Sequence, residues 1–157
     1  MKRKAWKPYV FWILFTEAVG ALAGWLTRDG TAFYREFVEK PALAPPAIVF
    51  PIVWGILYAL MGIGAARIWL ADDHPEQKKS LLLYLAQLTF NFFWSIIFFQ
   101  FGNYALAFFW LLTLWVLILL MTLSFRKIDK AAALLQIPYL LWVAFAGYLN
   151  LGVRLLN

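Results

Sequence analysis

The sequence predicts an all-α integral membrane bundle of five transmembrane helices. Three observations carry that reading. From Ser80 to Phe125 there are 46 residues without one charge, far more than a single bilayer crossing needs. The run is interrupted at Phe101-Gly102-Asn103-Tyr104, a turn signal that leaves two halves of about 22 residues, each of spanning length. Neither half has the polar face that a helix in water requires.

The elements follow in order. Span one is expected over 9–26. Arg28 to Lys40 reads as a polar connector of mixed charge, and Pro41, Pro45, Pro46 and Pro51 follow it. Span two is expected over 47–70, with Pro46 and Pro51 suited to its start. Asp72-Asp73-His74-Pro75-Glu76 is a solvated loop. Span three covers 80–101 and span four 104–125. A short basic turn, Arg126 to Lys130, leads to span five over 131–153, where Pro138 removes a backbone donor and favours a kink. Helices are the answer because a backbone facing lipid must satisfy its own hydrogen bonds. The whole chain, 1–157, is expected to form one membrane domain.

Composition agrees. Hydrophobic residues make up 64%, charged residues 14%, and mean hydropathy is +0.75. Cysteine is absent, which removes thiolate chemistry and cysteine-held metals. The net charge of +6 comes from basic residues flanking the apolar runs, as for contacts with anionic lipid, and not from a basic helix face suited to nucleic acid. The first residues have the outline of a signal peptide, but Glu17, Phe11, Trp12 and Phe15 inside the apolar stretch argue against cleavage. Ten Lys and Arg fall on one side of the bundle (Lys2, Arg3, Lys4, Lys7, Arg67, Lys78, Lys79, Arg126, Lys127 and Lys130) and four on the other (Arg28, Arg35, Lys40 and Arg154). The positive-inside rule then puts the N-terminus in the cytoplasm and the C-terminus outside.

Polar groups that remain in the spans form helical faces. Gln87, Asn91, Trp94, Ser95 and Phe98 share one face of span three. They serve either as hydrogen-bonded glue between helices or as a polar spot that orients a ligand in an aromatic pocket. Tyr139, Trp142, Ala146 and Asn150 share a face of span five, and Trp54, Tyr58 and Met61 one of span two. Trp6, Trp25 and Trp69 read as interfacial belt residues; Trp94, near the middle of its span, does not. Gly20-x-x-x-Gly24 reads as close helix packing. Glu17 is the one acidic residue inside a span, expected to be protonated or hydrogen-bonded to another helix. His74 is a solvated loop residue without a second metal ligand nearby. No catalytic triad and no phosphate loop is present, and neither a metal nor a cofactor is expected.

These residues, taken in order, resemble the TspO/MBR family of tryptophan-rich sensory proteins, relatives of the mitochondrial translocator protein. The resemblance runs from Gly20-x-x-x-Gly24 through Phe33-Tyr34, Lys40-Pro41-x-x-x-Pro45-Pro46 and Val53-Trp54 with Tyr58 and Met61-Gly62. It continues through Gln87, Asn91-x-x-Trp94-Ser95 and Phe98-Phe99 to Pro138-Tyr139-x-x-Trp142-x-x-Phe145-Ala146-x-x-Leu149-Asn150. Leu43 stands where the family often has Trp, and one extra residue separates Tyr34 from Pro41. Leu151 stands where the family's sterol pattern expects Tyr, although Val143, Tyr148 and Arg154 fit a looser version.

The resemblance implies a five-helix bundle, commonly a homodimer, with a pocket closed by the connector after helix one. It implies flat hydrophobic ligands: porphyrins and other tetrapyrroles, sterols, and synthetic isoquinoline-type compounds. Carried over by motif, Trp54, Asn91, Trp94, Trp142 and Ala146 are the ligand-binding residues, followed by Tyr58 and Pro45, then Tyr34. Indoles from three helices around small residues would make a slot for a planar ring. A binding, sensory or regulatory role ranks first. Light- and oxygen-dependent breakdown of protoporphyrin ranks second, and transport third.

Overall fold

The computed structural model describes residues 5–157; the basic residues Lys2, Arg3 and Lys4 of the orientation argument lie outside the described residues. Among the described residues seven α-helices occur: α1 (Trp6–Leu26), α2 (Arg28–Phe37), α3 (Val49–Trp69), α4 (Gln77–Ser95), α5 (Tyr104–Arg126), α6 (Lys130–Leu134) and α7 (Ile137–Leu156). A π-helical segment, Ile96–Gln100, extends α4. Among the described residues there is no strand, and five helical stretches are long and apolar enough to cross a membrane: α1, α3, α4 with its extension, α5, and α6 with α7. The structure is therefore the expected all-α, five-span bundle.

Local chemistry sets the boundaries. α1 starts at Trp6, earlier than expected, because Pro8 fits a first turn where no backbone donor is required. It stops at Thr27, whose hydroxyl donates back to the Ala23 carbonyl at 2.7 Å. Pro51 lies likewise in the first turn of α3. Gly102, at φ 61°, makes the turn between the π-helical segment and α5. Asn103 then caps α5 by accepting from the Leu106 N–H at 3.1 Å.

Two expectations need correction. Arg28 to Lys40 is not merely a polar connector, because most of it is helix α2. Phe33, Tyr34 and Phe37 recur at helical spacing there, and Asp29 lies in its first turn beside the positive end of the dipole. Span five is not one kinked helix. It breaks at Leu135–Gln136, and Pro138 sits in the first turn of α7. A proline placed there costs no helical hydrogen bond.

The helices cross the bundle alternately, so one end carries α2, the π-helical segment and the end of α7. α1 and α3 touch closely toward the opposite end. A Cβ on Gly62 would run into the backbone of Ile13. The same helices part toward the α2 end, where a Cβ on Gly24 or Gly55 would meet nothing within 4 Å. At the opposite end, Arg67 of α3 donates from Nε to Asp129 at 2.6 Å, the one ion pair among the described residues.

Candidate functional site

Buried polar groups in the centre are consumed in a relay. The Tyr58 hydroxyl donates to Asn91 Oδ1 at 3.1 Å. Asn91 Nδ2 donates to the Tyr139 hydroxyl at 2.7 Å, and that hydroxyl donates to Gln87 Oε1 at 2.7 Å. Gln87 Nε2 faces the Met61 sulfur at 3.8 Å. The chain passes from α3 to α4 to α7, back to α4 and on to α3. It satisfies groups that would be costly if left alone in a low-dielectric core. For Gln87 and Asn91 this is the interhelical glue reading.

Above the relay, toward the α2 end, lies a cavity of about 980 Å³. That is the upper end of the range for small-molecule sites. α1, α2, the 38–48 loop, α3, α4 with its π-helical extension, and α7 all contribute to its wall. Of the eight residues singled out from the sequence, Tyr34, Pro45, Trp54, Tyr58, Trp94, Trp142 and Ala146 line it. Asn91 does not. It lies behind Tyr58, with both ends of its amide engaged. A polar side chain on the right face can be taken up by a neighbouring hydroxyl, and sequence spacing does not reveal which.

The aromatic walls have defined geometry. Trp54 stacks on Tyr58 with ring centroids 5.4 Å apart and planes inclined at 28°. Trp142 meets Trp54 edge-on, at 6.5 Å and 85°. Across the cavity Trp94 stacks on Phe98 at 5.2 Å and 28°. Trp94 lies past the middle of its span, in the last turn of α4 and two residues before the π-helical segment. Its indole N–H is used by Asn150 Oδ1 at 3.1 Å, and Asn150 Nδ2 donates in turn to the Tyr104 carbonyl at 2.9 Å. Trp142 differs, since its indole nitrogen is buried without a partner.

The roof is α2 with the loop after it. Gly30 sits against the backbone of Phe99, where any Cβ would collide with the carbonyl. The π-helical segment widens the helix there, and Phe98 and Phe99 both reach Tyr34, at 5.5 and 5.3 Å between centroids. Tyr34 is buried, and its phenol is pushed up to about 12, first by desolvation and then by nearby Tyr104. Lys40 Nζ donates to the carbonyls of Tyr34, Arg35 and Val38, capping the end of α2. The loop is clamped to α7 by Tyr148 donating to the Ala42 carbonyl at 2.6 Å, by Pro41 seated on Gly152, and by Asn157 paired with the Glu39 backbone. Leu43 is 81% exposed, takes φ 71°, and does not line the cavity.

Gly20 and Gly24 divide the work expected of them jointly. Gly20 lies flat against the Tyr58 ring, the close contact read from the motif, whereas Gly24 faces open space and lines the cavity. Glu17 lines it too and, among the described residues, makes no hydrogen bond to another span. Trp6, Trp25 and Trp69 are exposed, as belt residues should be. Val143 is buried whereas Tyr148 and Arg154 are exposed, so the sterol-pattern residues do not share one surface. Asn150 and Phe99, noted on the motif faces but not carried over as ligand-binding, also line the cavity, as do Thr31 and Arg35, which sequence reasoning left out. The helical period of 28–37 was the signal for the last two.

The TspO/MBR family model matches residues 12–156. The chain is 35% identical over 144 residues to the tryptophan-rich protein TspO of Chlorobaculum tepidum, covering 89% of each chain. It is 34% identical over 148 residues to the translocator protein of Bos taurus, covering 92% of this chain and 87% of the relative. It is 31% identical over 149 residues to a tryptophan-rich sensory protein of Cereibacter sphaeroides, covering 93% and 92%. With that match over nearly all its length and five helices fit to span a bilayer, the chain belongs to the TspO/MBR family of multi-pass membrane proteins.

Proposed function

We propose that the protein binds flat hydrophobic ligands, tetrapyrroles foremost and sterols second, and that binding serves a sensory or regulatory role. The observation that carries this is the cavity itself. Two stacked aromatic pairs, Trp54 on Tyr58 and Trp94 on Phe98, face a space floored by Ala146 and edged by Trp142. Planar rings gain most from such walls, through offset and edge-on contacts. The names of the relatives, sensory and translocator, agree with a binding role.

The experiment is to mix purified protein with protoporphyrin in darkness and in light and to follow the porphyrin spectrum. A stable shifted spectrum in both supports binding. A new product that forms only in light and oxygen supports the photodegradation reading instead. No spectral change in either arm overturns both.

Orientation and assembly belong to the same proposal. The N-terminus lies in the cytoplasm and the C-terminus outside, from the ten-to-four asymmetry of Lys and Arg. The protein works in the cell membrane as a homodimer. A reporter fused after Asn157 that is active only in the cytoplasm would reverse the orientation, and a monomer by light scattering in nanodiscs would remove the dimer.

A further inference from the structure

The cavity carries its charges at opposite ends. Arg28, Arg35 and Lys40 line it at the α2 end, and Glu17 lines it at the other. Eleven positions separate Glu17 from Arg28, roughly 16 Å along a helix at about 1.5 Å per residue. Arg28 and Lys40 have local work. Arg28 donates to the Trp25 carbonyl at 2.6 Å and lies over the Trp25 ring, and Lys40 holds three carbonyls of α2 and its end. Glu17 has none. It stands half-buried in the middle of α1 and, among the described residues, its side chain takes part in no hydrogen bond or ion pair.

Two neighbouring hydroxyls are already spent. Gly20, one turn along α1, lies on the ring of Tyr58, so Glu17 sits beside that ring. Yet the Tyr58 proton is already given to Asn91 Oδ1, and the Thr16 hydroxyl donates to the Trp12 carbonyl at 2.7 Å. An unpaired carboxyl at membrane depth is costly, and residues of this kind are retained there for a partner. The neighbouring Trp54–Tyr58 stack presents electron-rich ring faces, which attract cations.

We propose that Glu17 recognises a planar ligand bearing a protonated nitrogen, with the ring along Trp54 and Tyr58 and the cation against the Glu17 carboxylate. The attraction is strong there because the walls are apolar and the local dielectric is low. Such a ligand need not pass the cationic end. Ala21, Gly24, Ala47 and Pro51 are at once exposed and cavity-lining, so the gap where α1 and α3 part opens sideways toward lipid. The inference rests on the planar-ligand reading of the cavity and names a ligand class for its deep end.

The test compares two planar probes of similar shape, the aminoacridine cation and neutral methylanthracene. Binding is measured to protein in phosphatidylcholine nanodiscs at neutral pH, with uptake by empty nanodiscs subtracted. Glu17→Gln is expected to lower aminoacridine affinity about tenfold relative to methylanthracene, the factor for one well-placed charge interaction. Glu17→Asp, which keeps the charge, is expected to retain most of the preference. An equal loss for both probes in Glu17→Gln would mean a packing role and would overturn the inference; so would no loss for either. If porphyrin and methylanthracene bind while aminoacridine ignores residue 17, this inference falls and the planar-ligand reading stands. If neither probe nor porphyrin binds the unaltered protein, both fall.

Discussion

Trp94 and Asn150 are joined by a hydrogen bond of 3.1 Å that fixes an indole plane against the cavity. The Asn150 amide is anchored in turn on the Tyr104 carbonyl at 2.9 Å. The indole thus spends its polar atom on α7 and keeps its face for the cavity, where it stacks on Phe98. Aromatic stacking on a nucleobase is worth about 1–3 kcal/mol, which sets a scale for a planar ligand. Trp94→Ala is therefore expected to weaken porphyrin binding about tenfold or more, and Trp142→Ala likewise. Trp6→Ala and Trp69→Ala, at exposed belt positions, are expected to leave it within about twofold. Fluorescence quenching titrations at matched folding check this. Equal losses in all four variants would mean that stacking is not localised to the cavity.

Ala146 is the small residue on which the space depends. It lies on the cavity side of α7, one turn beyond Trp142. Ala146→Phe is expected to fill the slot and abolish porphyrin binding while the thermal midpoint in detergent stays close to that of the parent. Binding retained in this variant would place the ligand elsewhere in the bundle.

The roof can be tested through Gly30. A methyl group there must displace α2 from the Phe99 carbonyl, and Phe99 is one of the two rings that hold Tyr34. Gly30→Ala is expected to speed porphyrin dissociation roughly threefold or more in stopped-flow, with the effect in the off-rate. Gly147→Ala is the comparison, since its nearest neighbour would be Leu111 at 3.9 Å, an ordinary contact. Unchanged dissociation in Gly30→Ala would mean that α2 does not retain the ligand.

Asp129 gives the fold a pH dependence of known sign. Partial burial raises its carboxyl, but the Arg67 hydrogen bond, the Ala131 and Ala132 N–H groups and the Arg67 charge outweigh this and hold it below the usual carboxylate range. The ionised form is thus favoured by folding. Its contribution is complete above the unfolded value of about 3.9 and is lost as pH falls through the lower folded value. The pair is partly exposed and screened, so its worth is at most about 1 kcal/mol. Asp129→Asn is expected to melt earlier than the parent at neutral pH, and the gap should close toward pH of about 3. A gap independent of pH would contradict the assignment.

Much of this architecture was legible in the sequence because lipid imposes a simple rule. The uncharged run from Ser80 to Phe125 had to contain two helices, and Gly102 had to separate them. Helical spacing put Trp54 with Tyr58 on one face and Trp142 with Ala146 on another, and the family resemblance marked these faces as cavity walls. What spacing conceals is where a side chain spends its hydrogen bonds. Asn91 lay on the expected face yet is consumed by Tyr58 and Tyr139. The π-helical turn at Ile96–Gln100 was hidden as well, since one extra residue in a turn leaves no mark in an unbroken apolar run. Helix α2 was obscured by its charges, although its aromatic residues already followed the helical period.

The clamp between the 39–42 segment and α7 has a consequence for how the protein is made. Glu39 is held by Asn157, 118 positions later, and Ala42 by Tyr148, 106 positions later. During synthesis the chain emerges from its N-terminal end, so the roof is translated early and must wait. Four spans can be threaded into the bilayer before its anchors on α7 exist. The 39–42 segment is therefore fastened over the cavity only after α7 has been delivered.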